Sequence, residues 1–359
     1  MSPHRIHSSI PVAAIDTAER NLRAVLSLAI EYSGAEKALV ISDARSDLAL
    51  ALTEAYRRCL PGAMFLEFDG AAPGIVLAAL ERLDPGDLVV LIQSTSFRLD
   101  AFRIRLELFK RSLKVIEHPH LARMPGTEGA LYIDSLAYDR DYYRGVGHAL
   151  KACIDRARTA VIDSGGEQLV FAAGLEPAKL NIGDYGGLKN VGGQYPIGEV
   201  FTESRDLEAV NGRVRIALFA ATDYTVARPE QPITLVVERG RVTRAIGSTS
   251  GFERVLAGIR ADEGEVWLRE FGLGMNRAFT LERTVSDVGT LERMCGVHLS
   301  LGAKHATFEK ANIKKRLARH HVDVFVLTSF VSVNEEIVFQ DGAWLVEPLA
   351  LAGPADEDA

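Results

Sequence analysis

Residues 37–43 read KALVISD. A short apolar run with Val40 and Ile41 at its centre, bounded by Lys37 and Asp43, is the pattern of a buried strand. Ser46 and Asp47 then open a helix that runs to Cys59. AMFLEFD (63–69) is a second strand, and PGIVLAALERL (73–83) a helix with Pro73 near its first turn. DLVVLIQS (87–94) is a third strand, an amphipathic helix follows from Phe97 to Arg111, and LKVIEH (113–118) is a fourth strand. Upstream, residues 16–32 give a helix whose apolar stripe is Leu22, Val25, Leu26, Ala29 and Ile30, with Asp16 and Glu19 as its N-terminal capping pair. Strands alternating with helices at this rhythm predict a mainly parallel sheet with helices on both faces, a Rossmann-like α/β domain. The dinucleotide fingerprint is missing, because VISDARSD after the first strand holds no GxGxxG, so neither NAD nor FAD is inferred. Glu117–His120 (EHPH) ends the fourth strand, where such domains place ligands. His118 and His120 would make a metal pair there, but without further donors they read as ordinary loop histidines. His148, on a helix over 140–158, reads as a packing residue.

After residue 160 the texture changes. TAVIDS, QLVFAAG, RVRIALFA, ITLVVERGRVTRAIG and HVDVFVLTSFVSV are strand-like, separated by Gly-rich or polar turns. A helix spans Phe252–Ala261, and Asp341-Gly342 inside FQDGAW signals a hairpin. The expected division is therefore an α/β domain over 1–163 and a β-rich α+β domain over 164–359. The acidic tail AGPADEDA is expected to fray.

Bulk properties narrow the classes. The 359 residues suffice for two domains with real cores, and 47% hydrophobic with 25% charged content is ordinary for a globular protein. A net charge of -7 argues against a nucleic-acid role and for small molecules, peptides or proteins as partners. Three cysteines, Cys59, Cys153 and Cys295, lie far apart with no CxxC pair. They support neither a disulfide framework nor a thiolate zinc site, and point to a reducing cytoplasm. No signal peptide and no membrane span is expected.

The chemistry concentrates in Trp267–Phe325. Four of the nine histidines, His298, His305, His320 and His321, fall there with Glu270 and Asp323. Imidazoles with carboxylates are a donor set for a divalent transition metal. In HVDVF, a strand of period two puts His321 and Asp323 on one face and sends His320 to the other. Glu270, in EVWLREFGLGMN, sits among apolar residues with a Gly-x-Gly turn after it. A carboxylate there is costly unless paired or metal-bound, although simple strand alternation would turn it to water. His298 lies on a strand, and a loop would fold His305 back towards it. Glu199, in GGQYPIGEVFTE, stands at the start of a strand, as a ligand or as a surface residue beside a turn. KKRLARH before His321 reads as a solvated helix face.

PIGEVFTE, EFGLGMN, GVHLSLG and HVDVF, in that order, resemble the thermophilic-type aminopeptidase family that includes aminopeptidase T, aminopeptidase S and PepS. The resemblance is strongest over about residues 190–345, and the family's N-terminal α/β domain is compatible with the first half. It implies a dinuclear metal site between two domains, holding zinc, cobalt or manganese. The family's glutamates fall on Glu199 and Glu270, its histidine on His298 and its H-x-D strand on His321 and Asp323. Where the family has a tyrosine seven residues after that histidine, this chain has His305, and the segment from there to His321 is shorter than usual. The resemblance further implies a metal-dependent peptide or amide hydrolase acting as a homodimer, with Glu270 accepting the proton of the attacking water; His305, the departure from the family, is read as a catalytic residue that stabilises the oxyanion or adds a ligand. Two alternatives stand beside it: a peptide-binding relative with altered catalysis, and an Fe(II)-dependent ring-cleaving dioxygenase of the same fold.

Overall fold

Two strands buried along their whole length, Ala38–Ser42 and Leu88–Ile92, sit side by side in a five-stranded sheet. The computed structural model describes residues 10–97 and 104–351. The sheet order is Met64–Glu67, Ala38–Ser42, Leu88–Ile92, Lys114–His118 and Gly192–Gln194, and every neighbouring pair is parallel. Parallel pairing follows from the helical crossovers, which cover the faces and require apolar residues on both sides of the central strands. Leu39, Ile41, Val89, Leu91 and Val115 from the sheet pack with Val76, Ala79 and Leu80 of the helix Pro73–Glu81 and with Ile104 and Leu108 of the helix Ile104–Lys110. Each of these Leu, Ile and Val side chains contributes about 1.5–3 kcal/mol by leaving water. The expected helix from Phe97 is described only from Ile104, since 98–103 lie outside the described residues.

The helix Asp47–Cys59 starts as its sequence indicates: the Ser46 side chain accepts from the Ala49 amide. The first helix does not. It begins at Val12 after Pro11, with no side-chain cap, and ends at Ala24, where a π-helical turn, Val25–Ala29, takes over. Asp16, expected to cap it, lies inside the helix and pairs with Arg58 at 2.8 Å. Pro11 supplies the start without a side-chain acceptor. His118 is fully buried: its Nε2 lies 2.8 Å from the Tyr56 hydroxyl and its Nδ1 2.8 Å from that of Tyr132. Tyr132 donates to the Tyr195 carbonyl, so it accepts from Nδ1–H and leaves Nε2 to accept from Tyr56. With both nitrogens so used, His118 is a structural post. His120 Nε2 lies 3.0 Å from the Ser96 hydroxyl.

The second sheet has 14 strands. Its part that matters most runs Val210–Ala220, Val322–Val326, Gly296–Leu301, Leu268–Gly274, Glu199–Glu203 and Lys179–Asn181, all antiparallel. The helix Ser250–Glu263, capped by Thr249, buries Phe252, Val255, Leu256 and Ile259. Asp341 and Gly342 have φ of 51° and 79° in the turn between Glu336–Gln340 and Ala343–Trp344, as a two-residue hairpin requires. Two local expectations fail. Gly272 and Gly274 do not turn but continue the strand Leu268–Gly274, buried at every residue. The basic run before His321 is not helical: turns at 311–312 and 315–317 are separated and followed by irregular chain, with Lys314, Lys315 and Arg316 exposed.

The chain divides into two compact units, Met1–Arg140 with Gly183–Ile197, and Asp141–Ile182 with Gly198–Ala359. The change of texture in the sequence puts one cut at 163/164. The excursion of 183–197 has a concrete cause, since Gly192–Gln194 is the fifth strand of the parallel sheet. Residues 352–359, expected to fray, lie outside the described residues. Among the described residues no helix is long and apolar enough to cross a membrane.

Candidate metal centre

Four adjacent strands of the second unit carry the candidate residues. Register sets Glu199 opposite Gly274, Phe201 opposite Gly272 and Glu203 opposite Glu270. His298 stands opposite Gly272 on its other side, and Asp323 opposite Ser300. The glycines make the room. A Cβ built on Gly272 would lie 2.0 Å from the His298 ring, and one on Gly274 would lie 1.8 Å from the Met294 carbonyl. The GLG that reads as a turn is thus a strand on which His298 lies flat.

The distances draw the set together. His298 Nε2 is 3.2 Å from Glu270 Oε1 and 3.3 Å from Glu199 Oε1. His321 Nε2 is 3.2 Å from Asp323 Oδ1, 4.0 Å from Glu270 and 3.9 Å from Glu292. Two groups of donors that could hold a metal ion result: Glu199, Glu270 and His298, and Glu270, Glu292, His321 and Asp323. Glu270 belongs to both. All five residues expected as ligands therefore come together, and a sixth, Glu292, joins them. Glu292 lies in the 3-10 turn Val288–Arg293 just before the His298 strand. No periodicity marks it there, and the sequence reading missed it. His320 stays outside the groups, with Nε2 2.7 Å from Asp262.

Four carboxylates share this space, and Arg293 is the cation among them. It donates to Glu199 Oε2 and lies 3.1 Å from Glu292. Uncompensated buried charge costs several kcal/mol per ion, so the set demands further positive charge. Protons meet that demand in the metal-free chain. Burial would lower His298, but the Glu199 and Glu270 carboxylates override it and push it up to about 10. Burial likewise opposes His321, and Asp323, Glu270 and Glu292 push it up to about 10. Burial and then the neighbouring Glu199 carboxylate push Glu292 up to about 8, against Arg293. Burial would raise Glu270 too, yet the hydrogen bond from His298 and the neighbouring His305 ring hold it below the usual carboxylate range.

The donor atoms fit a divalent cation on independent grounds. In the neutral ring His321 Nδ1 donates to the Lys304 carbonyl at 3.2 Å, and the Nε2 lone pair then faces Asp323 Oδ1. That buried Oδ1 has no hydrogen-bond partner. Two lone pairs at this distance call for a positive charge between them, the proton of the charged ring or a metal ion in its place. His305 differs. Its Nδ1 accepts from the amides of Thr307 at 3.1 Å and Phe308 at 3.4 Å, so the ring proton sits on Nε2, which lies 2.9 Å from Glu270 Oε2. His305 therefore sets its N–H beside the carboxylate without an aligned hydrogen bond to it, with its side chain 2% exposed.

No family model matches the sequence, and no curated protein matches it. Among solved structures the chain is similar to wild-type AmpT from Thermus thermophilus, with a TM-score of 0.55 and 15% identity over 92% of this chain and 99% of that one. At this identity the match shows a shared fold.

Proposed function

We propose that the chain is a metal-dependent peptide or amide hydrolase of aminopeptidase type. The observation that carries the reading is the pair of donor groups joined through Glu270, on strands of a fold shared with AmpT. Glu199, Glu270 and His298 would hold one ion, and Glu270, Glu292, His321 and Asp323 a second. Nitrogen and oxygen donors of this kind suit zinc, cobalt or manganese. Such ions, when bound, polarise a carbonyl and acidify a water molecule.

The chain's own residues do the rest. Arg293 engages Glu199 Oε2 and so leaves Oε1 turned to His298. The Lys304 carbonyl fixes the tautomer of His321. Glu270 Oε2, beside His305 Nε2, is the acceptor for the proton of an attacking water. His305 Nε2–H is the neighbouring donor, placed to stabilise a developing oxyanion, while Glu270 passes the proton it has accepted to the leaving amine. A phenol in its place would donate as well, but only imidazole also accepts the two backbone amides that orient it. The resemblance further suggests a homodimer in the cytoplasm, with peptides as substrates.

The test is metal analysis of protein purified without chelator, followed by turnover of amino-acid anilides and dipeptides. The reading expects hydrolysis that chelation abolishes and that zinc, cobalt or manganese restores. Activity that survives chelation and His321→Ala would sink it.

A further inference from the structure

Arg269 is the largest fully buried side chain of the described residues, 2% exposed, and its partner Glu203 is 0% exposed. Burying such a pair costs several kcal/mol per ion, and well-packed apolar residues often replace one without loss of stability. The pair therefore asks for a reason beyond stability, and its remaining hydrogen bonds supply one. Arg269 Nε donates to Glu203 Oε1, and Nη2 to Oε2 at 3.0 Å. Nη1 donates to the Ala303 carbonyl, and Nη2 also to the Phe308 carbonyl at 2.9 Å. Those two carbonyls end the six residues that carry His305. Within this segment, the Phe308 amide helps to fix the His305 tautomer while its carbonyl is held by Arg269.

We propose that Arg269 is the positioning residue for His305: its guanidinium grips both ends of Ala303–Phe308 and so presents Nε2–H to Glu270. The proposal rests on the hydrolase reading for its use, but not for its geometry. A register shift between Leu268 and Phe271 lies in this strand, and bulges commonly re-aim side chains beside active sites. Adjacent residues thereby serve one device. Glu270 meets the His305 ring, and Arg269 holds the segment that bears it. Only a planar guanidinium spans two carboxylate oxygens and two carbonyls at once; an ammonium is a point donor. Glu203 cancels the guanidinium charge, so the clamp adds no net cation beside the metal donors. Glu263 closes the base of the same loop independently, accepting from the amides of Ala303, Arg319 and His320.

The test compares wild-type protein with Arg269→Lys and with the paired variant Glu203→Gln/Arg269→Met, which leaves no unpaired buried charge. Two readouts are taken on metal-free protein: the ring-nitrogen NMR signature of His305, assigned with His305→Gln, and hydrogen exchange over 303–308. Both variants are expected to replace the fixed Nε2–H signature by an averaged one and to lose about tenfold or more of the protection at Thr307 and Phe308. The signals of His118 and His298 should stay in place. In metal-loaded enzyme, kcat should fall with KM and metal content unchanged. Arg269→Lys, which keeps the charge, carries the test if the paired variant loses the sheet. A wild-type His305 signature and wild-type protection in Arg269→Lys would overturn the proposal. If wild-type protein hydrolyses no peptide but the variants release His305, the clamp stands and the hydrolase reading falls.

Discussion

Among the described residues, the parallel-sheet unit and the unit with the candidate metal centre each bury one histidine completely, His118 in the first and His298 in the second. Both are 0% exposed, and both lie in short strands. Their chemistry is opposite. His118 has only hydroxyl partners, and burial drives it down to about 3. His298 faces Glu199 and Glu270, which override burial and drive it up to about 10. Burial alone therefore does not tell a post from a cation seat. What decides is whether the partners are neutral dipoles, which satisfy a neutral ring, or carboxylates, which call for a positive charge between themselves and the ring.

The largest expected effect breaks the second member of this pair. His298→Asn should lower metal affinity by more than about 100-fold, more than the loss of a ligand's hydrogen-bond partner costs, and should abolish turnover. His118→Asn should leave metal content unchanged. Calorimetric metal titration of both variants measures the contrast. Gly272→Ala follows, because its Cβ would strike the His298 ring at 2.0 Å. It should displace that ring, deplete the metal and cost about 1–3 kcal/mol, read as a fall in melting temperature. Next comes His118→Ala, which strips both Tyr56 and Tyr132 of a partner. It should cost about 1–3 kcal/mol for the Tyr56 hydroxyl left unsatisfied, since Tyr132 keeps the Tyr195 carbonyl, again with metal content intact.

The pH dependence of stability sharpens the contrast by sign. His118 has its folded pKa depressed below the ordinary value of 6.5. Its contribution is present above that value and is lost as pH falls from about 6.5 towards 3, at about 1.4 kcal/mol per pH unit. His298 in chelated protein has its folded pKa raised. Its contribution is present below about 6.5 and is lost as pH rises from there towards 10. Denaturant melts across pH check both slopes. The acid slope should flatten in His118→Gln, and the alkaline slope in His298→Asn or on adding metal, which displaces the proton.

Sequence made one region more legible than the other for physical reasons. The parallel sheet is written in continuous apolar runs with helices between them, and four of its five strands follow directly. The fifth, Gly192–Gln194, is three residues of glycine and glutamine whose place depends on pairing with Lys114–His118, and nothing local announces it. In the second unit, the two-residue period in HVDVF separates His321 from His320, and the geometry places them apart in the same way. Glu292 stayed hidden because a 3-10 turn has no strand alternation, so only the assembled strands bring it to His321. Gly272 and Gly274 read as a turn because glycine's usual signal is conformational. Here its use is steric, clearing space for a ring and a carbonyl. The Arg269 clamp was invisible for a related reason, since its partners lie at 203, 303 and 308.

One measurement addresses the central claim most directly: metal content per chain after dialysis against zinc, cobalt or manganese, in wild-type protein and in Glu270→Gln. Glu270 is the residue common to both donor groups. The account predicts uptake of two ions per chain by the wild type, one for each group, and loss of both in the variant. A wild-type chain that takes up no metal, or a Glu270→Gln chain that retains the full complement, would contradict it.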